Sequence, residues 1–281
     1  MNRLLPCLAA TALLFATLTS HAATVPPDTI AVGAYQVQVA SVGSGPCTVI
    51  FESGFGTDLR AWRKVAPEVA KTARVLSYSR AGYGKSDARP ESRTLLQNSI
   101  ELDQVVAAAG LRPPFILVGQ SYGGLLVRAF AARHPDWVAG MVLVDPTDER
   151  FSPALRKIDA ARVDQDDSHF AAIIPAKFRP EFDAIKPVLD GVFPVPGTLP
   201  DVPMVVLTSM QRIDDPEFFL ETAPARAVLH GLHADFAKQF RDGTHVVTER
   251  SGHNIQLDEP ELVISAVQQV MAKANARSSN R

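Results

Sequence analysis

Five residues near the middle of the chain have the types and order for nucleophilic catalysis: Gly119-Gln120-Ser121-Tyr122-Gly123. A serine on a sharp strand-to-helix turn needs neighbours without a Cβ, so that the backbone can close and the hydroxyl can project. The helix that follows then directs its N-terminal N–H groups at any oxyanion formed there. As a bare pattern this is weak, and its context must carry it. Phe115 to Val118, preceded by Pro113-Pro114, reads as a buried parallel strand, and Leu125, Val127, Ala129, Phe130 and Ala131 suit a helix packed on that sheet.

A serine hydroxyl is a poor nucleophile until a base takes its proton, and a carboxylate must hold that base in the right tautomer. Of seven histidines, His21 falls in the N-terminal segment, His134 at a helix end, His169 in an irregular stretch, His230 and His233 in helical sequence, and His245 at a strand start. Only His253, in Ser251-Gly252-His253-Asn254, follows a late strand and a glycine. Three carboxylates compete for the third role: Asp145, which ends the apolar run Val138 to Val144, and Asp214 and Asp215, which follow the run Met204 to Thr208. Asp214-Asp215-Pro216 also suits a helix N-terminus, with the carboxylates capping it. Glu52-Ser53-Gly54-Phe55-Gly56 leaves another buried strand, and its glycines let the backbone approach a ligand. The N–H of Phe55 is then a second oxyanion donor beside that of Tyr122, unless the loop simply turns the chain.

The elements that must hold these residues alternate along the chain. Thr29 to Val32 and Tyr35 to Ala40 form an antiparallel pair turned at Gly33-Ala34; Cys47 to Phe51 and Arg74 to Tyr78 are strands, with a helix through Trp62, Val65, Val69 and Ala70 between them. Leu95 to Ala109 is helical and stops at Gly110. Strands alternating with helices predict an α/β, doubly wound, mostly parallel sheet with helices on both faces. From Thr147 to about Pro203 prolines recur and charged clusters alternate with apolar pairs, which predicts an insertion of short helices capping the site. Phe170, Ile173, Ile174, Phe178, Phe182 and Phe193 divide there between packing and a substrate pocket. Glu217 to Phe240 is mainly helix, His245 to Glu249 the last strand, Asp258 the N-cap of the last helix, and the tail from Asn275 polar and frayed.

With 281 residues, 46% hydrophobic and 21% charged, at a formal net charge of −2, the chain suits one large domain with an insertion, and nothing suggests nucleic acid. Asn2-Arg3, the apolar Leu4 to Leu18 and the small Ser20 and Ala22 have the shape of a secretory signal, so residues 1–22 are expected to leave and 23–281 to be exported, to the periplasm or beyond. No other segment approaches the roughly 20 apolar residues of a membrane span. Cys7 leaves with the signal, so Cys47 has no internal partner. Gly84-Lys85-Ser86 echoes a phosphate-binding loop, but Ser79 stands where that motif needs its first glycine. No His-Glu-x-x-His or paired-cysteine site offers a metal position, and no cofactor is expected.

Taken with Ser79-Arg80-Ala81-Gly82-Tyr83-Gly84, Leu143-Val144-Asp145-Pro146 and Ser251-Gly252-His253, the motifs at 52–56 and 119–124 resemble the α/β-hydrolase superfamily, over about residues 29–275. The resemblance implies an eight-stranded sheet, a nucleophilic Ser121, the base His253, oxyanion donors at Phe55 and Tyr122, and a cap at 147–203. Many members place the acid after the seventh strand, at Asp214 or Asp215 here. A branch that includes haloalkane dehalogenases places it after the sixth, at Asp145, and the close spacing from Ser121 favours Asp145. That branch's halide chemistry does not carry over, because its nucleophile is an aspartate. Gln120 replaces a frequent His, Glu52-Ser53 a frequent His-Gly, and Ser79 a frequent Asp. The expectation is an exported serine hydrolase acting on a small to medium apolar ester. The alternatives are amide, lactone or carbon–carbon bonds on the same triad, or a ligand sensor with little turnover.

Overall fold

Runs apolar at every position, rather than at alternate ones, form the middle of the sheet, because both of its faces are covered. They are β3 (Thr48–Glu52), β5 (Phe115–Gln120), β6 (Val138–Val144) and β7 (Met204–Ser209). With β1 (Asp28–Val32), β2 (Tyr35–Val42), β4 (Arg74–Tyr78) and β8 (Gly243–Thr248) they make one eight-stranded sheet in the order β1-β2-β4-β3-β5-β6-β7-β8. Only the β1–β2 and β2–β4 pairs are antiparallel. The computed structural model describes residues 28–279 except 90, 92 and 194–196. The expected signal at 1–22 therefore lies outside the described residues.

Alternate side chains of each central strand enter opposite cores. Ile50, Phe115 and Leu117 meet α2 (Leu95–Ala108) and α3 (Tyr122–Arg133) on one face, joined by Phe236 of α6 (Ala223–Ala237). Val49, Phe51, Ile116 and Val118 meet α1 (Ala66–Val69) and α8 (Pro260–Ser279) on the other. After β3 the chain moves out to β4 and then returns to β5 on the other side of β3, so the connections leaving the neighbouring β3 and β5 run in opposite directions, which makes a topological switch point between them. Open α/β sheets bind ligands beyond the carboxyl ends of strands at such a point.

Several predicted boundaries move, each for a local reason. The helix expected through Trp62 is a 3-10 turn, Leu59–Trp62, followed by the single turn α1. Pro67 has no N–H to bond back to Arg63, which favours the break between the two turns. Asp258 is not an N-cap; it ends the short α7 (Ile255–Asp258), and the Glu259 carboxylate accepts from the Thr248 hydroxyl at 2.6 Å instead. The tail does not fray at Asn275: α8 continues to Ser279, with Ala274 buried and Arg277 paired to Asp242. Between β6 and β7 lie α4 (Phe151–Ile173), a 3-10 turn and α5 (Arg179–Leu189), where short helices were expected. Element α4 bends at Asp159 (φ −154°, ψ 94°), whose carboxylate caps the Arg162 amide at 3.0 Å and restarts the helix.

Candidate active site

Ser121 sits where β5 ends and α3 begins, at φ 53° and ψ −124°, a conformation that costs a residue with a Cβ of order 1–3 kcal/mol. The flanking glycines are needed there. A Cβ on Gly119 would lie 2.5 Å from the Gly123 carbonyl oxygen, and one on Gly123 would lie 2.4 Å from the Glu52 carbonyl oxygen. The turn is pinned to the next strand by the Ser121 amide, which donates to the Val144 carbonyl at 3.1 Å, and by the Thr147 amide, which donates to the Ser121 carbonyl at 3.1 Å.

Asp145 follows directly at the end of β6, also at positive φ (41°). Its Oδ2 lies 2.7 Å from His253 Nδ1, and its Oδ1 accepts from the Ser209 amide at 3.0 Å and the Arg226 guanidinium at 2.8 Å. Burial alone would raise this carboxyl. The His253 hydrogen bond and charge, then Arg226 and the Ser209 amide, overcome it and hold the pKa at about 2. An ionised Asp145 requires the proton on His253 Nδ1, which leaves Nε2 with its lone pair. The histidine loop is held from two sides: Gln120 Nε2 donates to the His253 carbonyl at 3.3 Å, and Ser209 Oγ donates to the Ser251 carbonyl at 2.7 Å. Asp214 and Asp215 do not compete. Both are exposed, Asp214 pairs with Arg212, and neither makes a hydrogen bond to His253, whose Nδ1 is on Asp145.

Ser121, Gly252 and His253 open onto one cavity of about 560 Å³. The helices after β6 supply much of its wall, with Phe170, Phe182, Ile185 and Leu189; Phe55, Phe218 and Leu220 add further apolar surface, and Asp166, Asp167, Lys186, Asp190, Gln211 and Glu221 line the rest with polar and charged groups. Of the insertion's apolar residues, Phe170 and Phe182 line the cavity, Phe178 stacks on Tyr83 with ring centres 4.7 Å apart, Ile174 is buried, and Ile173 and Phe193 are exposed. No hydrogen bond joins Ser121 to His253 here; such contacts often tighten only around substrate. The Phe55 and Tyr122 amides donate to no acceptor among the described residues. Among those residues no group of His, Cys, Asp and Glu could hold a metal ion.

Beneath the loop that holds Phe55 lies a buried ionic network that the sequence did not announce. Arg80, 1% exposed, donates to Glu52 Oε1 at 2.6 Å and to the carbonyls of Ser53 (2.6 Å) and Gly54 (2.8 Å). Burial pushes the Glu52 carboxyl up to about 7 against the pull of Arg80 and Tyr78. Glu52 thus serves the arginine that braces the loop, and Ser79 Oγ accepts from the Leu59 amide at 3.3 Å. Arg226, on α6, was also not foreseen; one arginine in a helical run carries no signal of what it will meet.

A family model described as alpha/beta hydrolase fold matches residues 48–185. An uncharacterized Bacillus subtilis protein, YqjL, is 27% identical over 238 residues, which cover 83% of this chain and 86% of that one. A thermophilic esterase from Thermogutta terrifontis superimposes with a TM-score of 0.60 at 20% identity, over 89% of this chain and 99% of the esterase. An ancestral haloalkane dehalogenase gives 0.64 at 18% identity, over 89% and 99%.

Proposed function

This chain belongs to the α/β-hydrolase superfamily, and on that premise we propose that it is a serine hydrolase that cleaves carboxylic esters through an acyl-enzyme. One fold serves an esterase and a dehalogenase among its neighbours, so the choice of chemistry rests on this chain's own residues. The observation that carries the reading is the 2.7 Å contact between Asp145 and His253 Nδ1, with His253 and the strained Ser121 facing one cavity.

In this reading substrate enters beneath the helices after β6, which act as a cap, and its acyl carbon lies against Ser121. Oγ attacks that carbon while His253 Nε2 takes the hydroxyl proton. The carbonyl electrons move onto oxygen, where the Phe55 and Tyr122 amides stabilise the charge. Collapse expels the alkoxide, which leaves as alcohol with the proton from His253. A water then attacks the acyl-enzyme, His253 again taking and returning a proton, and the acid departs. Asp145, ionised throughout, stabilises the imidazolium and fixes the tautomer. Phe55, Phe170, Phe182 and Leu189 favour an apolar acyl or aryl group. The N-terminal signal pattern supports export of residues 23–281.

The test is a panel of esters of rising acyl length beside matched amides and lactones. Ester kcat/KM should rise about fourfold for each added methylene until the cavity fills, the fold-change equivalent to about 0.8 kcal/mol per buried methylene, and amides should turn over far more slowly. Preferential cleavage of amides or lactones would reassign the bond.

A further inference from the structure

We propose that Glu181, on α5 of the helical insertion, is a positioning residue for the oxyanion hole: its carboxylate ties the insertion to both donor amides at once. This rests on the serine-hydrolase reading above. Glu181 has no exposed surface; it lies on the inward face of α5, beside the buried Phe182, Ile185 and Val188. The Tyr83 hydroxyl donates to its Oε2 at 2.5 Å and Asn98 Nδ2 donates to its Oε1 at 2.8 Å. Two guanidinium groups lie beside it, Arg93 at 2.9 Å and the Nε of Arg80 at 3.7 Å.

Three of these contacts, through Arg80, Tyr83 and Asn98, lead to the residues that carry the donor amides. Arg80 lies between Glu181 and Glu52 and binds the Gly54 carbonyl at 2.8 Å. That carbonyl and the Phe55 N–H belong to one planar trans peptide, in which C=O and N–H point in opposite directions. Fixing the carbonyl on Arg80 therefore aims the Phe55 N–H away from the arginine. Tyr83, the donor to Glu181, also accepts from the Gly56 amide at 3.2 Å and holds the far side of the same peptide pair. Asn98 makes the second connection, because its Nδ2 is also 3.1 Å from the hydroxyl of buried Tyr122, the residue with the other donor amide.

Arg80 Nε has no hydrogen-bond partner among the described residues, so Glu181 offsets its charge through space rather than through a bond. Without that carboxylate the buried Arg80 and Arg93 face a charge deficit, and an uncompensated buried charge must move or draw in water. Either response releases the Gly54 carbonyl and with it the direction of the Phe55 amide. Seating of α5 over the cavity and readiness of the oxyanion hole are then one event.

Glu181→Gln and Glu181→Ala in the full chain separate this from a role as mere anchor of the insertion. The readouts are kcat and KM on a short-chain p-nitrophenyl ester and Ki for a trifluoromethyl ketone, which forms a tetrahedral oxyanion adduct with the serine. We expect Glu181→Gln to lower kcat about 10-fold with KM within about 2-fold, and Ki to rise by a similar factor, since partial misalignment costs less than the roughly 100–1,000-fold of losing a donor. Glu181→Ala should lower kcat about 100-fold; if its melt shows that it does not fold, the Gln variant and Tyr83→Phe carry the test. Tyr83→Phe should lower kcat several-fold, and combined with Glu181→Gln it should give less than the product of the single effects. A raised KM with kcat and Ki unchanged would make Glu181 an anchor only and overturn the proposal. Wild type that neither hydrolyses the ester nor binds the ketone would instead overturn the hydrolase reading, and this inference with it.

Discussion

Asp145 is held by more than its histidine. Arg226 and the Ser209 amide share its Oδ1, so contacts besides His253 hold the carboxylate in place. Replacing it with the isosteric amide removes the preference for the Nδ1 proton, the kind of change that costs about 10⁴-fold in kcat when the tautomer is lost. Asp145→Asn should therefore lower ester kcat about 10³- to 10⁴-fold, whereas Asp214→Asn and Asp215→Asn should stay within about twofold. The reverse order in steady-state assays would move the acid to the loop after β7. Ser121 and His253 were legible because glycines and strand ends mark them in the sequence. Between the two candidate acid positions, the sequence could rank but not decide, since both follow apolar strands. Arg226 and Glu181 were not legible at all: a charged residue in a helix reads as a solvated face, and only the fold turns these two inward.

At the scale of the element, the tight crossing of β5 and α3 over the end of β3 depends on hydrogen in place of methyl. Gly123→Ala would press a Cβ against the Glu52 and Ser53 carbonyl oxygens at 2.4 and 2.8 Å, where rigid backbone cannot give way. A loss of about 1–3 kcal/mol or more is expected in denaturant unfolding. Gly231, inside α6, has open space where a Cβ would go, so Gly231→Ala should gain about 0.5–1 kcal/mol through helix propensity. Equal effects of the two substitutions would contradict the packing account. Strands were legible because the central runs are apolar throughout and β1 and β2 meet at the Gly33-Ala34 turn. Helix ends were less so. The break at Pro67 needed attention to a missing N–H, the bend at Asp159 looked like one more acid in a charged stretch, and the end of α8 is held by Asp242, a residue distant in sequence.

Across the whole molecule, two buried groups pull stability in opposite directions with pH. Burial lowers His233 from 6.5 to about 4, against the favourable pull of Asp145 and the Pro146 carbonyl. The unfolded chain therefore takes up that proton first, so this contribution is complete above about pH 6.5 and is lost as pH falls through 4. Glu52, raised from 4.5 to about 7, contributes fully below about pH 4.5 and loses it as pH rises through 7. The two limbs therefore oppose one another between about pH 4.5 and 6.5. His233→Gln should remove one limb and make stability climb as pH is lowered from 7 to 4.5 in urea titrations. Parallel profiles for the two proteins would refute this balance. The α/β class and the place of the site were legible from alternation and motif order. The strand order and the insertion's seat on Tyr83, Asn98 and the arginines were not, because they depend on contacts between residues far apart in the chain.

The central claim is that Ser121 is a nucleophile activated in place by His253. Intact mass and peptide mapping after treatment with a fluorophosphonate test it most directly. The account predicts one stoichiometric adduct, on Ser121, in folded wild type, none in Ser121→Ala, and labelling slowed by orders of magnitude in His253→Ala. Folded wild type without an adduct, or with the adduct on another residue, would contradict it.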